Sequence, residues 1–176
     1  MRRILLTGLL LFVLVSPARS FSLASKAFEA NGAIPREYTC QGIDVSPELS
    51  WSGTPAGTKS FVLIVEDPDV PDPAAPTRTW VHWVLYDISG AATGLQRDVA
   101  TEALPDGTRQ GGNDWKRAGW AGPCPPIGRH RYVFKLYALS TTLADLGIAP
   151  ARALEKAMEG HVVGEAKLIG TYEKTK

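Results

Sequence analysis

Apolar and polar positions along this chain come mostly in short bursts with a two-residue rhythm, separated by Gly- and Pro-rich punctuation. SFVLIVED (60–67), WVHWVLYDI (80–88), HRYVFKLYAL (130–139) and GEAKLIGTYE (164–173) are rich in β-branched and aromatic residues. TPAGT precedes the first, VPDPAAP separates the first two, and ISG follows the second, so each reads as a strand bounded by turns. A helical rhythm emerges once, late in the chain. Pro150 suits a helix start, ARALEKAMEG puts Leu154, Ala157 and Met158 on one face, and Gly160 supplies a stop. The pattern predicts a mainly β, antiparallel domain with a helix near the C-terminus.

Two segments depart from this pattern. Between about Ala103 and Gly128 the text ALPDGTRQGGNDWKRAGWAGPCPPIG is too rich in Gly and Pro for regular structure and too long for an ordinary connection. Trp115 and Trp120 would waste a large apolar surface in a floppy loop, so an ordered lid or wall is expected. At the other end, Arg2 and Arg3 precede the apolar run Ile4 to Val15, Pro17 ends it, and Ala18-Arg19-Ser20 supplies small residues around a cleavage point. This is the layout of a secretory signal peptide. The run is shorter than the about 20 apolar residues that a membrane-spanning helix needs. Residues 1–20 are therefore expected to be a signal peptide and 21–176 a single mature domain, secreted or periplasmic, beginning at Phe21.

Removing Arg2, Arg3 and Arg19 takes the 19 basic residues below the 18 acidic ones. No basic stripe, polybasic tail or second hydrophobic span remains, which argues against nucleic acid as a partner and against membrane insertion after cleavage. A domain of this length buries roughly two-thirds of its unfolded surface and needs no metal or disulfide scaffold. The two cysteines, Cys40 and Cys124, thus need their own explanation. In an oxidising compartment they can bridge, closing a long loop for on the order of 4 kcal/mol in the chain-entropy picture. Otherwise they pack as two buried thiols. Neither has a second cysteine at zinc-ligand spacing.

Strand alternation then places candidate chemistry. His82 shares a face with Trp80, Val84 and Tyr86, and His130 and Tyr132 share one with Phe134 and Leu136. Asp67 points the same way as Leu63 and Val65, Pro68 turns the chain, and Asp69 follows at the rim. Taken singly, each is a half-buried histidine or a strand-ending turn. Together they converge at strand ends.

DPDVP, then WVHW, then GPCPPIGRHRYVFKLYAL, in this order and at these separations, resemble the phosphatidylethanolamine-binding protein family, most closely its bacterial Raf-kinase-inhibitor-like branch. YTCQGIDVSPELSW (38–51) and GHVVGEAKLIGTYEK (160–174) extend the likeness over the mature chain. The resemblance implies a large antiparallel sheet packed on a smaller one with peripheral helices, and a pocket for phosphate or similar oxyanions. Carried over by position, that pocket is lined by Asp67, Asp69, His82, Gly122, His130 and Tyr132, with Pro123 shaping its wall. In that picture Gly122 lets a ligand oxygen approach the backbone N–H, the histidines and Tyr132 add donors, and the aspartates orient the imidazoles. VPDP after DPD, and the cysteine within GPCPP, depart from the eukaryotic pattern, so eukaryotic phospholipid or kinase specificity does not transfer.

Two function classes follow. One is a non-enzymatic envelope binding protein for a small phosphorylated or anionic ligand, or an inhibitor of a partner enzyme such as a kinase or protease. The other is a metal-dependent hydrolase built on the His and Asp residues. No HExxH, no GxSxG and no nucleophile beside a base is present. The expectation is therefore a binding protein, with no cofactor, no metal site and no catalytic residue. Monomer and homodimer both remain open.

Overall fold

The structure, a computed structural model, describes residues 20–101, 104 and 106–175. The expected signal peptide therefore lies, Ser20 apart, outside the described residues. Two antiparallel sheets carry the domain. The smaller contains β1 (Ser22–Ala24), β2 (Leu49–Ser52) and β5 (Gly94–Leu95), in the order β1-β2-β5. The larger contains β3 (Ser60–Val70), β4 (Arg78–Ser89), β6 (Arg109–Gln110), β7 (Arg129–Leu139) and β8 (Val162–Glu173), in the order β6-β4-β3-β7-β8. The four long strands are those expected from alternation, each extended by one to three residues at its ends. One α-helix, α1 (Ala151–Met158), and a 3-10 turn at Arg36–Tyr38 complete the regular structure among the described residues.

Both faces of the large sheet are covered. On the inner face, Phe61, Leu63, Val65, Trp83, Leu85, Phe134 and Leu136 pack against Leu23, Leu49 and Trp51 of the small sheet. On the outer face, Val62, Ile64, Val84, Tyr86 and Leu139 pack against Ala151, Leu154 and Met158 of α1. Double coverage explains why β3 is buried without a break from Ser60 to Val65, since a strand solvated on one face would alternate. The helix starts directly after Pro150, and Gly160, at φ +77°, lies just beyond it.

The register of β3 against β4 changes the reading of His82. Val65 pairs with Trp83 while Glu66 pairs with Val81, so His82 is an extra residue on β4. Strict alternation puts His82 on a face with Val84 and Tyr86; the bulge overturns this. Val84 and Tyr86 face α1, whereas His82 stays with Trp80 on the inner side, its ring edge-on to Tyr132 at 5.1 Å. Bulges re-aim side chains in this way and recur beside functional sites. A second shift, between the pairs Asp67–Trp80 and Val70–Arg78, accommodates Pro68 and Asp69.

The long connection behaves as a wall. Trp120 is buried, edge-on to Trp83 at 5.6 Å and stacked on Phe134 at 6.1 Å. Asn113 organises the stretch that follows β6, donating to Gly119 O while its Oδ1 accepts from the N–H groups of Trp115 and Arg117.

Candidate ligand-binding site

Where β3, β4 and β7 run out on the inner face, Asp67, His82 and Tyr132 open onto a cavity of about 160 Å³. Arg78, Trp80 and Trp115 line it from one side, and Cys124, Pro125 and Pro126 from the other. Asp69, Gly122, Pro123 and His130 are not in its lining; they hold the residues that are.

Asp67 is almost fully buried. Its Oδ1 accepts the Asp69 N–H at 2.8 Å, and its Oδ2 lies 2.7 Å from His130 Nδ1. His130 has no exposed surface, and its Nε2 donates to the Ile127 carbonyl at 3.0 Å. Both ring nitrogens are thereby occupied. His130 orients Asp67 and pins the Pro-rich loop from behind; with no donor left over, it does not take the ligand-facing role expected from the resemblance.

Asp69 departs from expectation in its partner. Its carboxylate accepts the Arg131 backbone N–H at 2.9 Å, Nε at 2.9 Å and Nη2 at 2.6 Å, a fork that matches the planar guanidinium. The Arg131 bonds hold the Asp69 carboxyl below the usual range despite the raising effect of burial. Asp67 thus orients a histidine, as anticipated, while Asp69 pairs with an arginine instead.

His82 offers the cavity a free nitrogen. Its Nδ1–H donates to the Ala121 carbonyl at 2.5 Å, which fixes the tautomer and leaves Nε2 without a hydrogen-bond partner among the described residues. Burial lowers its pKa below the ordinary 6.5, outweighing the Ala121 carbonyl and the Asp67, Asp44 and Asp114 carboxylates, which act the other way. Tyr132 is fully buried, and its hydroxyl lies within reach of the Asp67 carboxylate and the Cys124 backbone without a well-formed hydrogen bond to either. Burial, with Asp67 nearby, pushes the phenol strongly up, so it stays protonated as a donor. Trp80 Nε1 is likewise buried without an acceptor. Arg78 stacks over the Trp80 ring at 4.3 Å, and Trp115 meets Trp80 and His82 edge-on at 5.2 and 5.1 Å.

The loop from Gly122 is tied to the segment after the 3-10 turn. Gly122 N–H donates to Asp44 Oδ1 at 2.8 Å, Cys40 N–H to Pro123 O at 3.2 Å, and Trp120 Nε1–H to Tyr38 O at 3.2 Å. A Cβ on Gly122 would sit 2.2 Å from Asp44 Oδ1 and 2.4 Å from Tyr38 O. Glycine is thus required there by close backbone packing, and its N–H is spent on Asp44 rather than held out to a ligand. Cys40 and Cys124 are joined in a disulfide, with Cα atoms 5.5 Å apart and a sequence separation of 84.

Sequence reasoning missed Arg78, Trp115, Pro125 and Pro126 as pocket residues. It placed Trp80 beside His82 without assigning it a role. The available signal was the pairing of Trp80 and Trp115 across the motif, two large apolar groups flanking one histidine.

Two antiparallel sheets with a small cavity at their strand ends define a mainly β binding-protein fold. More closely, the chain belongs to the phosphatidylethanolamine-binding protein family, whose model matches residues 24–173. A UPF0098 protein of Methanothermobacter thermautotrophicus is 50% identical over 155 residues, covering 87% of this chain and 99% of that protein. Among solved structures, a phosphatidylethanolamine-binding protein homolog from Chlamydia trachomatis superposes with a TM-score of 0.81 at 40% identity, covering 89% of this chain and 99% of that one. Escherichia coli YbcL gives 0.79 at 31% identity, covering 89% and 100%.

Proposed function

We propose that this chain is a non-enzymatic binding protein whose cavity takes a small anionic group of the phosphate or phospholipid head-group type. The observation that carries the reading is a pair of buried donors at one cavity, Trp80 Nε1–H with no acceptor among the described residues and Tyr132 O–H with only imperfect geometry to Asp67. Leaving such a group unpaired costs about 1–3 kcal/mol, a cost that a ligand oxygen would offset. Arg78 at the rim supplies positive charge, the Asp67 carboxylate in the lining is paired with His130, and the Asp69 carboxylate behind it with Arg131. That pairing also argues for binding over hydrolysis, because both nitrogens of His130 are occupied and Asp67 already holds His130 and the Asp69 N–H. The family's name supports a phosphodiester carrying a head group as the first ligand to try. We further propose that residues 1–20 direct export and are removed, consistent with a disulfide; N-terminal sequencing of the exported protein should begin at Phe21, and a retained Met1 would sink this.

Calorimetry with glycerophosphoethanolamine and with inorganic phosphate tests the binding reading. Saturable binding that falls about tenfold in Arg78→Ala is expected, from loss of one charge-assisted contact. Absence of binding by either probe, or equal affinity in the folded variant, would overturn it.

A further inference from the structure

The cavity wall contains a bond that anion binding does not use. Cys124 lines the cavity, and both Cys124 and Cys40 are exposed. Upstream of Cys124 the wall is fastened by Gly122 N–H to Asp44 and by Cys40 N–H to Pro123 O. Downstream it is fastened by His130 Nε2–H to Ile127 O. Between these anchors lie Cys124, Pro125 and Pro126, the residues of the Pro-rich loop that line the cavity. Proline has no N–H to donate, so the disulfide is the covalent tie on the stretch least able to secure itself by backbone hydrogen bonds.

We propose that Cys40–Cys124 is a thiol-exchange site that controls whether the cavity is formed, its partner being a dithiol reductant of the oxidoreductase class; the effect on ligand rests on the binding role proposed above. A thiolate of the reductant attacks one exposed cysteine Sγ, forming a mixed disulfide and expelling the other cysteine as a thiolate. The reductant's second thiolate then attacks its own sulfur in the mixed disulfide and releases the remaining cysteine. The reductant leaves as a disulfide, and the protein has gained two electrons and, after protonation of both thiolates, two protons. Opening the bond frees residues 124–126 between anchors that stay in place. The two sheets, joined by their own core, remain folded. Linkage requires the converse: a ligand that needs the wall in place resists opening of the bond.

The test compares the oxidised protein, the same protein reduced with dithiothreitol, and a Cys40→Ser/Cys124→Ser double variant. Amide hydrogen exchange is read by NMR at residue 124, which carries the one amide in 124–126, and over β3 and β7, and glycerophosphoethanolamine affinity by calorimetry. Expected are unchanged exchange in β3 and β7, faster exchange at residue 124, affinity about tenfold weaker from ordering the freed wall on binding, and slower reduction when the phosphodiester is present. Equal loop exchange in the oxidised and opened forms would overturn the proposal, as would loss of protection in β3 and β7, which would make the bond a staple of the whole fold. If the oxidised protein gives no heat with the phosphodiester, the binding role fails, and the loop-exchange comparison still decides whether the bond governs the wall.

Discussion

The outer and inner faces of the large sheet treat their polar groups in opposite ways. On the outer face, Tyr86 O–H lies 3.1 Å from Gly147 O while its oxygen accepts the Leu146 N–H at 3.2 Å. Arg109 reaches Asp145 at 2.5 Å and Asp87 at 3.6 Å, Asp87 accepts the Leu143 N–H at 2.7 Å, and Lys135 pairs with Glu66. The one comparable loose end near this network among the described residues is the Thr108 hydroxyl. At the end of the inner face, two donors beside a single cavity, Trp80 Nε1–H and Tyr132 O–H, make no well-formed hydrogen bond among the described residues. Both regions are rich in hydrogen-bonding groups, so polarity alone does not mark a site. What distinguishes the inner end is donor capacity that the fold leaves unused while its neighbours Asp69 and His130 are engaged within the protein.

The sharpest way to break this comparison is to remove one of the engaged groups. His130→Ala takes the partner from a carboxylate that is 2% exposed, and leaving a buried charged group without its partner costs about 3–5 kcal/mol. Urea denaturation should show that loss. Arg109→Ala on the outer face, where the arginine side chain is 44% exposed, should cost less than about 1 kcal/mol. A His130→Ala variant as stable as the parent would mean that the Asp67–His130 pair does not organise the site.

A matched pair of hydroxyl deletions asks the same question at smaller scale. Tyr132→Phe removes a hydroxyl that makes no well-formed hydrogen bond with the described residues, so stability should change little while phosphodiester affinity falls about tenfold, the loss of one hydrogen bond to a charged ligand. Tyr86→Phe should do the reverse, costing about 1 kcal/mol of stability with affinity unchanged. Denaturation and calorimetry on both proteins give four numbers. If both variants lose stability and neither loses affinity, the two tyrosines are equivalent structural groups and the contrast disappears.

Much of this arrangement was legible in the sequence because period-two alternation governs the four long strands. Asp67 follows Leu63 and Val65 inward, and Tyr132 follows Phe134 and Leu136, as written in the text of β3 and β7. What alternation does not carry is an inserted residue. The bulge at His82 shifts Val84 and Tyr86 to the other face, and nothing in WVHWVLYDI marks where the extra residue falls. Pairing is hidden for a different reason. Arg131 is the sequence neighbour of His130, yet it takes Asp69 because its fork fits a carboxylate, while His130 takes Asp67 63 positions away. The GPCPP loop reads as rigid from its prolines; that Gly122 is needed for packing on Tyr38 and Asp44 depends on a contact 78 positions distant.

The smallest expected effect is the pH response of His82, which joins the two kinds of behaviour in one residue: Nδ1 is engaged and Nε2 is free. Burial lowers its folded pKa below 6.5, so between that lowered value and about 6.5 the unfolded chain binds more protons than the folded one. The stability contributed by neutral His82 is therefore fully present above about pH 6.5 and is lost as pH falls through the folded pKa, with a slope of at most about 1.4 kcal/mol per pH unit. An anion in the cavity favours the imidazolium and raises that pKa, so affinity for a phosphodiester should strengthen over the same interval in which the free protein loses stability. The binding transition is thereby displaced to the acid side of the ordinary histidine range. His82→Asn removes the titration while its amide can still donate to the Ala121 carbonyl, and in this variant both slopes should flatten together. Denaturation and calorimetry between about pH 5 and 7 check the pair of slopes. If stability flattens while affinity keeps its acid strengthening, His82 is only a buried strand residue, and another group senses the anion.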